Sequence, residues 1–332
     1  MEKTCVRCSS PVNGGRCPVC GFDCSDELAT VTLTAGTVLD DRYVIGRVIG
    51  SGGFGVTYLA YDTELEKSVA IKEYYPKNVA LRGADNVTLE PLSSVQAAEF
   101  ELGREKFERE AEILSELKNE TDVINVYNTF RQNGTIYYVM EYVHGMTLSE
   151  YTKKYGKISE EQALHTALSI ASAFKCIHSR NIIHRDLSPG NVMITLDGKV
   201  KLVDFGNART FTDGENSMTV AVKHGYAPLE QYQHHGNHGP WTDIYSLGTV
   251  LYYALTLETP DDPMTRLDDD REFQSGLAKL DPRLRDIINR MASVRISQRY
   301  QSSEELLEEL KKCKVKSAKY TLNVSASQTD KK

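Results

Sequence analysis

The stretch "NIIHRDLSPGNVMI", residues 181–194, places His184, Arg185, Asp186 and Asn191 between two apolar runs. A segment built only for packing avoids such groups, because each one buried without a partner costs free energy. Asp186 offers a base for a hydroxyl, and Asn191 offers a hard oxygen. A second hard oxygen comes from Asp204 in "KLVDFGNAR", so that Asn191 and Asp204 together suit Mg2+. Upstream, "GSGGFG" at 50–55 sets Gly50, Gly52 and Gly55 in a G-x-G-x-x-G pattern, which lets backbone amides approach phosphate oxygens. A dinucleotide site would need a helix after these glycines. Here "VTYLAYD" continues as a strand, which excludes it.

In "SVAIKEY", period-two alternation puts Ala70 and Lys72 on one strand face, where the lysine can meet phosphates. The helix "REKFEREAEILSEL" carries Phe107, Ala111, Leu114 and Leu117 along one stripe, and Glu110 falls on that same stripe. A carboxylate on an apolar face needs a cation, and Lys72 is the candidate.

Taken in order, the glycine loop, "VAIK", "HRD…N", "DFG" and "APLE" resemble the signature set of the eukaryotic-type protein kinase family, in its bacterial Ser/Thr branch. The resemblance covers roughly residues 43–312 and extends to Asp243 in "WTDIYSLG" and to Glu230 with Arg299 as its ion-pair partner. It implies an α+β, two-lobe protein kinase fold with ATP between the lobes. The adenine would lie under Ala70 and against the backbone of Glu141–Val143, with Met140 as gatekeeper and Ile49 and Thr57 among the nucleotide-binding positions. Lys72, held by Glu110, would contact the α/β phosphate oxygens. Mg2+ would sit on Asn191 and Asp204, and Asp186 would orient and deprotonate a protein Ser/Thr hydroxyl. His184 would be a packing residue. Arg185 would read an activation-loop phosphate on Thr210, Thr212, Ser217 or Thr219, with Thr219 favoured.

Three features depart from the family pattern. Thr57 stands where valine usually covers adenine. A segment, "NVALRGADNVTLEPLSSVQAAEFELG", lengthens the path from Lys72 to Glu110 and leaves open how the helix is placed. Ser188 occupies the place of a lysine near the transferred phosphoryl group, while Lys223 stands where the family has threonine. A positional swap is expected, with Lys223 supplying the cation and Ser188 the hydroxyl. An alternative function is a pseudokinase scaffold that binds nucleotide and recruits partners through a zinc ribbon in the first 28 residues.

These groups must be positioned by a β-rich lobe at 43–143 and an α-rich lobe at 144–314, because short strand-like runs give way to helical periodicity after Gly145. A linker with some strand content (29–42) precedes them, and a polar, flexible tail (315–332) follows. The first 28 residues are a unit of their own. Five of the seven cysteines fall by residue 24, and Cys5, Cys8, Cys17 and Cys20 form two C-x-x-C pairs. Four thiolates so spaced suit a structural tetrahedral Zn2+, and the stretch resembles a zinc ribbon that could dock a partner. Cys24 is a spare.

The 332 residues are 40% hydrophobic and 26% charged, which suits a globular chain. The formal charge of −7 does not favour nucleic acid. With no apolar run near the roughly 18 residues of a membrane span and no signal-like N-terminus, a cytoplasmic location is expected.

Overall fold

The computed structural model describes residues 32–53, 55–117, 120–210, 222–233 and 236–322. Cys5, Cys8, Cys17 and Cys20, and with them the expected zinc ribbon, lie outside the described residues, as do Thr212, Ser217 and Thr219. Among the described residues the chain divides into two compact units, the first ending at Tyr142 and the second starting at Val143, with residues 120–124 belonging to the second.

The first unit is built on six antiparallel strands: β1 (Val38–Leu39), β2 (Tyr43–Ser51), β3 (Gly55–Asp62), β4 (Lys67–Tyr74), β7 (Val126–Gln132) and β8 (Thr135–Glu141), in the order β1-β2-β3-β4-β8-β7. β-Branched and aromatic residues dominate these strands, as a half-buried pleated surface favours. Tyr43, Ile45, Val56, Tyr58, Val69, Ile71 and Val139 are all buried. Residues 32–42 are packed against this sheet: β1 pairs with β2, and the Leu33 amide donates to the Tyr58 hydroxyl at 3.1 Å.

Between β4 and β7 lie a small hairpin, β5 (Ala80–Arg82) with β6 (Leu89–Pro91), and helix α1 (Ser94–Glu116). The periodicity predicts a helix near 104–118, and the structure starts it ten residues earlier. Ser93 caps the N-terminus by accepting from the Gln96 amide, and Phe100 is buried one turn and a half into the helix. Gly103 disguises this continuity in the sequence. Its missing side chain is what lets the Tyr74 hydroxyl approach, since a Cβ there would collide with it.

The second unit centres on helices α3 (Glu160–His178) and α4 (Pro240–Thr256). A capping box between Ser159 and Gln162 starts α3, while Pro240 at the first turn starts α4. Almost every side chain of α4 is buried, which identifies it as the central element of this unit's core. Around them lie β9 (Gly145–Thr147), α2 (Leu148–Tyr155), β10 (Ile182–Ile183), β11 (Val192–Thr195), β12 (Val200–Leu202) and β13 (Arg209–Thr210). Helices α5 (Pro263–Asp268), α6 (Arg271–Leu277), α7 (Pro282–Met291) and α8 (Ser303–Lys311) complete the unit. β9 joins the β11–β12 hairpin in a three-stranded sheet.

Of the tail expected to be flexible (315–332), residues 315–322 are described, and two of them are packed. Tyr320 is buried, its hydroxyl 2.7 Å from Thr166 Oγ1 and its ring edge-on to Tyr151, and Leu322 is also buried. The polar composition from Val315 hides these two apolar anchors, while Lys316, Ser317, Ala318 and Lys319 before them are exposed.

Candidate active site

In the first unit, β4 and α1 bring Lys72 and Glu110 together, with Lys72 Nζ 2.9 Å from Glu110 Oε1. Glu110 is buried, and it also accepts from the Tyr138 hydroxyl at 2.9 Å. The lysine lies beside the rings of Phe107 and Tyr138, 5.7 and 5.6 Å from their centroids. Aromatic faces and a carboxylate therefore share the work of holding a cation in a partly dehydrated place.

The glycine segment is the turn of the β2–β3 hairpin, closed by a bond from the Gly52 amide to the Gly55 carbonyl at 2.9 Å. Gly50 pairs with Thr57, and a Cβ on Gly55 would strike the Glu73 carbonyl of β4, so only glycine lets the two strands approach there. Thr57 lies opposite Lys72, and Ala70 lies opposite Met140. Val69 is paired with Glu141 on β8, and Ile49 is exposed. Val143 is buried in the second unit.

In the second unit, Asp186 lies in the loop between β10 and the 3-10 turn Pro189–Asn191. The Asn191 amide nitrogen donates to the Asp186 carbonyl at 2.7 Å and approaches its carboxylate at 3.3 Å. Lys223 Nζ sits 2.9 Å from Asp186 Oδ1 and 3.2 Å from Ser188 Oγ. Asp204 follows β12 with φ +66°, and Arg185 has φ +62°, both in the left-handed region that costs a non-glycine residue energy. The Asn191 carbonyl accepts from the Val203 amide at 3.0 Å, which ties the loop to the segment carrying Asp204.

That strained loop is pinned from below by Asp243. Its carboxylate accepts from the backbone amides of His184 (2.9 Å) and Arg185 (2.8 Å) and pairs with His178 Nε2 at 2.8 Å. His178 in turn meets Ser303 Oγ at 2.7 Å. Burial alone would raise the Asp243 pKa, but the His178 contact and the donors around it outweigh that, and the carboxyl is held below its ordinary value. His184 is fully buried, edge-on to Phe205 with ring centroids 4.8 Å apart, which is a packing position. Glu230 and Arg299 form a buried ion pair at 2.7 Å.

Several contacts escape sequence reasoning. Gln231 Nε2 donates to the Arg185 carbonyl at 2.7 Å, adding a second support to the strained residue. Asp262 gathers the Gly225 amide, the Tyr232 hydroxyl and His224, which anchors the segment carrying Lys223. Tyr138 gives no signal beyond strand alternation. Among the described residues there is no cluster of three or more His, Cys, Asp or Glu able to hold a metal, and no helix long and apolar enough to cross a membrane.

A β-sheet unit followed by a mainly helical unit is the architecture of a protein kinase domain. The model of the protein kinase domain family matches residues 43–320, and the chain belongs to that family. It is 32% identical over 286 residues to serine/threonine-protein kinase D of Synechocystis, covering 81% of this chain and 52% of that protein. It is 36% identical over 235 residues to serine/threonine-protein kinase PknB of Mycolicibacterium smegmatis, covering 69% of this chain and 34% of that one. The chain thus spans about half or less of the length of these relatives. Among solved structures, the one described as "PpkA-294 apo form" matches with a TM-score of 0.71 and 29% identity, covering 84% of this chain and 99% of that one.

Proposed function

We propose that this protein is an ATP- and Mg2+-dependent serine/threonine protein kinase that transfers the γ-phosphate to protein hydroxyls and to its own activation loop. The observation that carries this reading is the grouping at Asp186: a carboxylate, a metal-suited amide and a cation from three different positions meet within hydrogen-bonding distance. In the proposed step the substrate oxygen attacks the γ-phosphorus, the bond from that phosphorus to the departing ADP oxygen breaks, and Asp186 takes the hydroxyl proton. Lys72, steadied by Glu110, holds the nucleotide phosphates. Lys223 offsets charge on the transferred group, and Ser188 supplies the hydroxyl beside it.

The donor set fits a magnesium ion. The Asn191 amide nitrogen is engaged with the Asp186 carbonyl, so its oxygen is the atom left to a cation, and Asp204 adds a carboxylate. Held by Asn191 and Asp204, magnesium would supply positive charge that offsets the charge of the phosphate oxygens. Ile49, Gly50, Gly52, Gly55, Thr57, Ala70, Met140, Glu141 and Val143 are the proposed nucleotide contacts. For the N-terminal segment, we propose a structural Zn2+ on Cys5, Cys8, Cys17 and Cys20 in a partner-docking ribbon. Metal content of the full chain falling from one zinc to none in a Cys5→Ser, Cys8→Ser variant is the expected result, and equal content would refute it.

The scaffold alternative draws on Ser188, which removes the usual cation from the loop. Lys223 at 2.9 Å from Asp186 weakens that objection. Mapping phosphosites after incubation with ATP and Mg2+ separates the two. Phosphoserine or phosphothreonine formed by the native chain and not by Asp186→Asn supports the kinase, whereas none in either supports the scaffold.

A further inference from the structure

Strand β4 is gripped on both of its faces. The pleat sends Lys72 and Tyr74 to one side and Glu73 to the other. On the first side lies α1: Lys72 meets Glu110, and the Tyr74 hydroxyl donates to the Phe100 carbonyl at 3.1 Å while its ring packs on Phe100 and Phe107. On the second side Glu73 is fully buried. Its carboxylate accepts from the hydroxyls of Tyr58 (2.7 Å) and Tyr137 (2.8 Å) and from the Arg82 guanidinium (2.6 Å). The Arg82 side chain is 2% exposed, and it also donates to the Val87 carbonyl at 2.8 Å, closing its own hairpin.

That hairpin leads straight into the helix. Only Leu92 and Ser93 separate β6 from α1, and both are committed. The Leu92 amide donates to the Val79 carbonyl at 2.9 Å, and Ser93 is the helix cap. The Gln96 side chain, in the first turn, donates to the Asn78 carbonyl at 3.0 Å. The hairpin is fixed at its far side by the Leu89 amide on the Asn133 carbonyl, at 2.8 Å. A buried charge pair of this kind is a costly choice for stability alone, since apolar side chains of similar volume often do as well, whereas breaking it is severe.

We infer that Arg82 and Glu73 are positioning residues: their buried pair anchors the β5–β6 hairpin, and the hairpin holds α1 so that Glu110 stays against Lys72. The connection runs from Glu73 through Arg82, the hairpin and α1 to Glu110, and returns to β4 at Lys72, one residue from where it began. The segment that lengthens this part of the chain is thereby a brace for the helix, and the placement of the Lys72–Glu110 pair is set within the chain. This rests on the proposed role of that pair in binding nucleotide phosphates.

The test uses the full chain with ATP, Mg2+ and a phosphorylatable protein. Two glycines inserted between Leu92 and Ser93 give slack to the helix and leave the Arg82–Glu73 pair untouched. The expected result is an unchanged melting temperature, a kcat lower by about tenfold or more, an unchanged KM for the protein substrate, and faster amide exchange through 104–116. A kcat within twofold of the native value overturns the inference. If the insertion prevents folding, Arg82→Met is compared with Arg82→Lys at matched folded fraction. Loss of kcat in the first and recovery in the second upholds the brace, and equal kcat in both refutes it. Lys72→Met separates the two levels: activity surviving in it sinks the role of the pair, whereas activity lost in it but intact in the insertion variant sinks the brace alone.

Discussion

The ammonium of Lys223 lies 2.9 Å from Asp186 Oδ1 and 3.2 Å from Ser188 Oγ, joining a residue that precedes "GYAPLE" to a loop 35 positions upstream. Lys223 is about two-fifths exposed, so its ion pair with Asp186 contributes little to stability. Its value lies in where it puts a positive charge. Lys223→Ala is expected to lower kcat by about a hundredfold or more with little change in KM for the protein substrate. Exchanging the positions, Ser188→Lys with Lys223→Thr, should restore kcat to within about tenfold of native. Steady-state kinetics on the three proteins check this, and an unchanged kcat in Lys223→Ala would remove Lys223 from the mechanism.

Asp243 holds the backbone of His184 and Arg185 in place, and its folded-state pKa is depressed below the ordinary value of 3.8. A depressed carboxyl stabilises the fold fully above its unfolded pKa and loses that contribution as pH falls through the folded one. Asp243→Asn is expected to cost about 3–5 kcal/mol near neutral pH, because an amide cannot accept from all three donors. The difference between native and variant should then narrow as pH drops below about 4. Urea melts at a series of pH values measure it.

The buried pair of Glu230 and Arg299 ties the "APLE" segment itself to the residues before α8. Arg299 also donates to the carbonyls of Ser293 and Val294. Removing one partner strands the other charge, so Arg299→Met should destabilise the protein by about 3–5 kcal/mol. A shift below about 1 kcal/mol in a denaturation experiment would contradict this.

Tyr320→Ala should cost about 3 kcal/mol, from lost burial and the bond to Thr166. A chain ending at residue 314 should show at least as large a loss by the same melts.

The sequence carries much of this arrangement in side-chain chemistry. Glu110 was legible because a carboxylate on an apolar helical stripe demands a cation, and Lys72 was the one facing it. The Gly50–Gly55 turn was legible because strand pattern continues on both sides. What stayed hidden is long-range and polar. Arg82 is nine residues from Glu73 in an ordinary-looking loop, and no periodicity marks a guanidinium that will be buried. Helix α1 starts earlier than its periodicity predicts, because Gly103 and a polar start mask the cap at Ser93. Tyr320, a single aromatic in a polar tail, gives no pattern in the sequence, yet its ring is buried.

The central claim is that Asp186 is the base of a phosphoryl transfer. Its most direct test is transfer of label from γ-labelled ATP, with Mg2+, to serine or threonine by the purified full chain, in parallel with Asp186→Asn. The predicted result is labelled phosphoserine or phosphothreonine with the native protein and a loss of about 10²–10⁴-fold with the variant. Equal labelling by both proteins would contradict it.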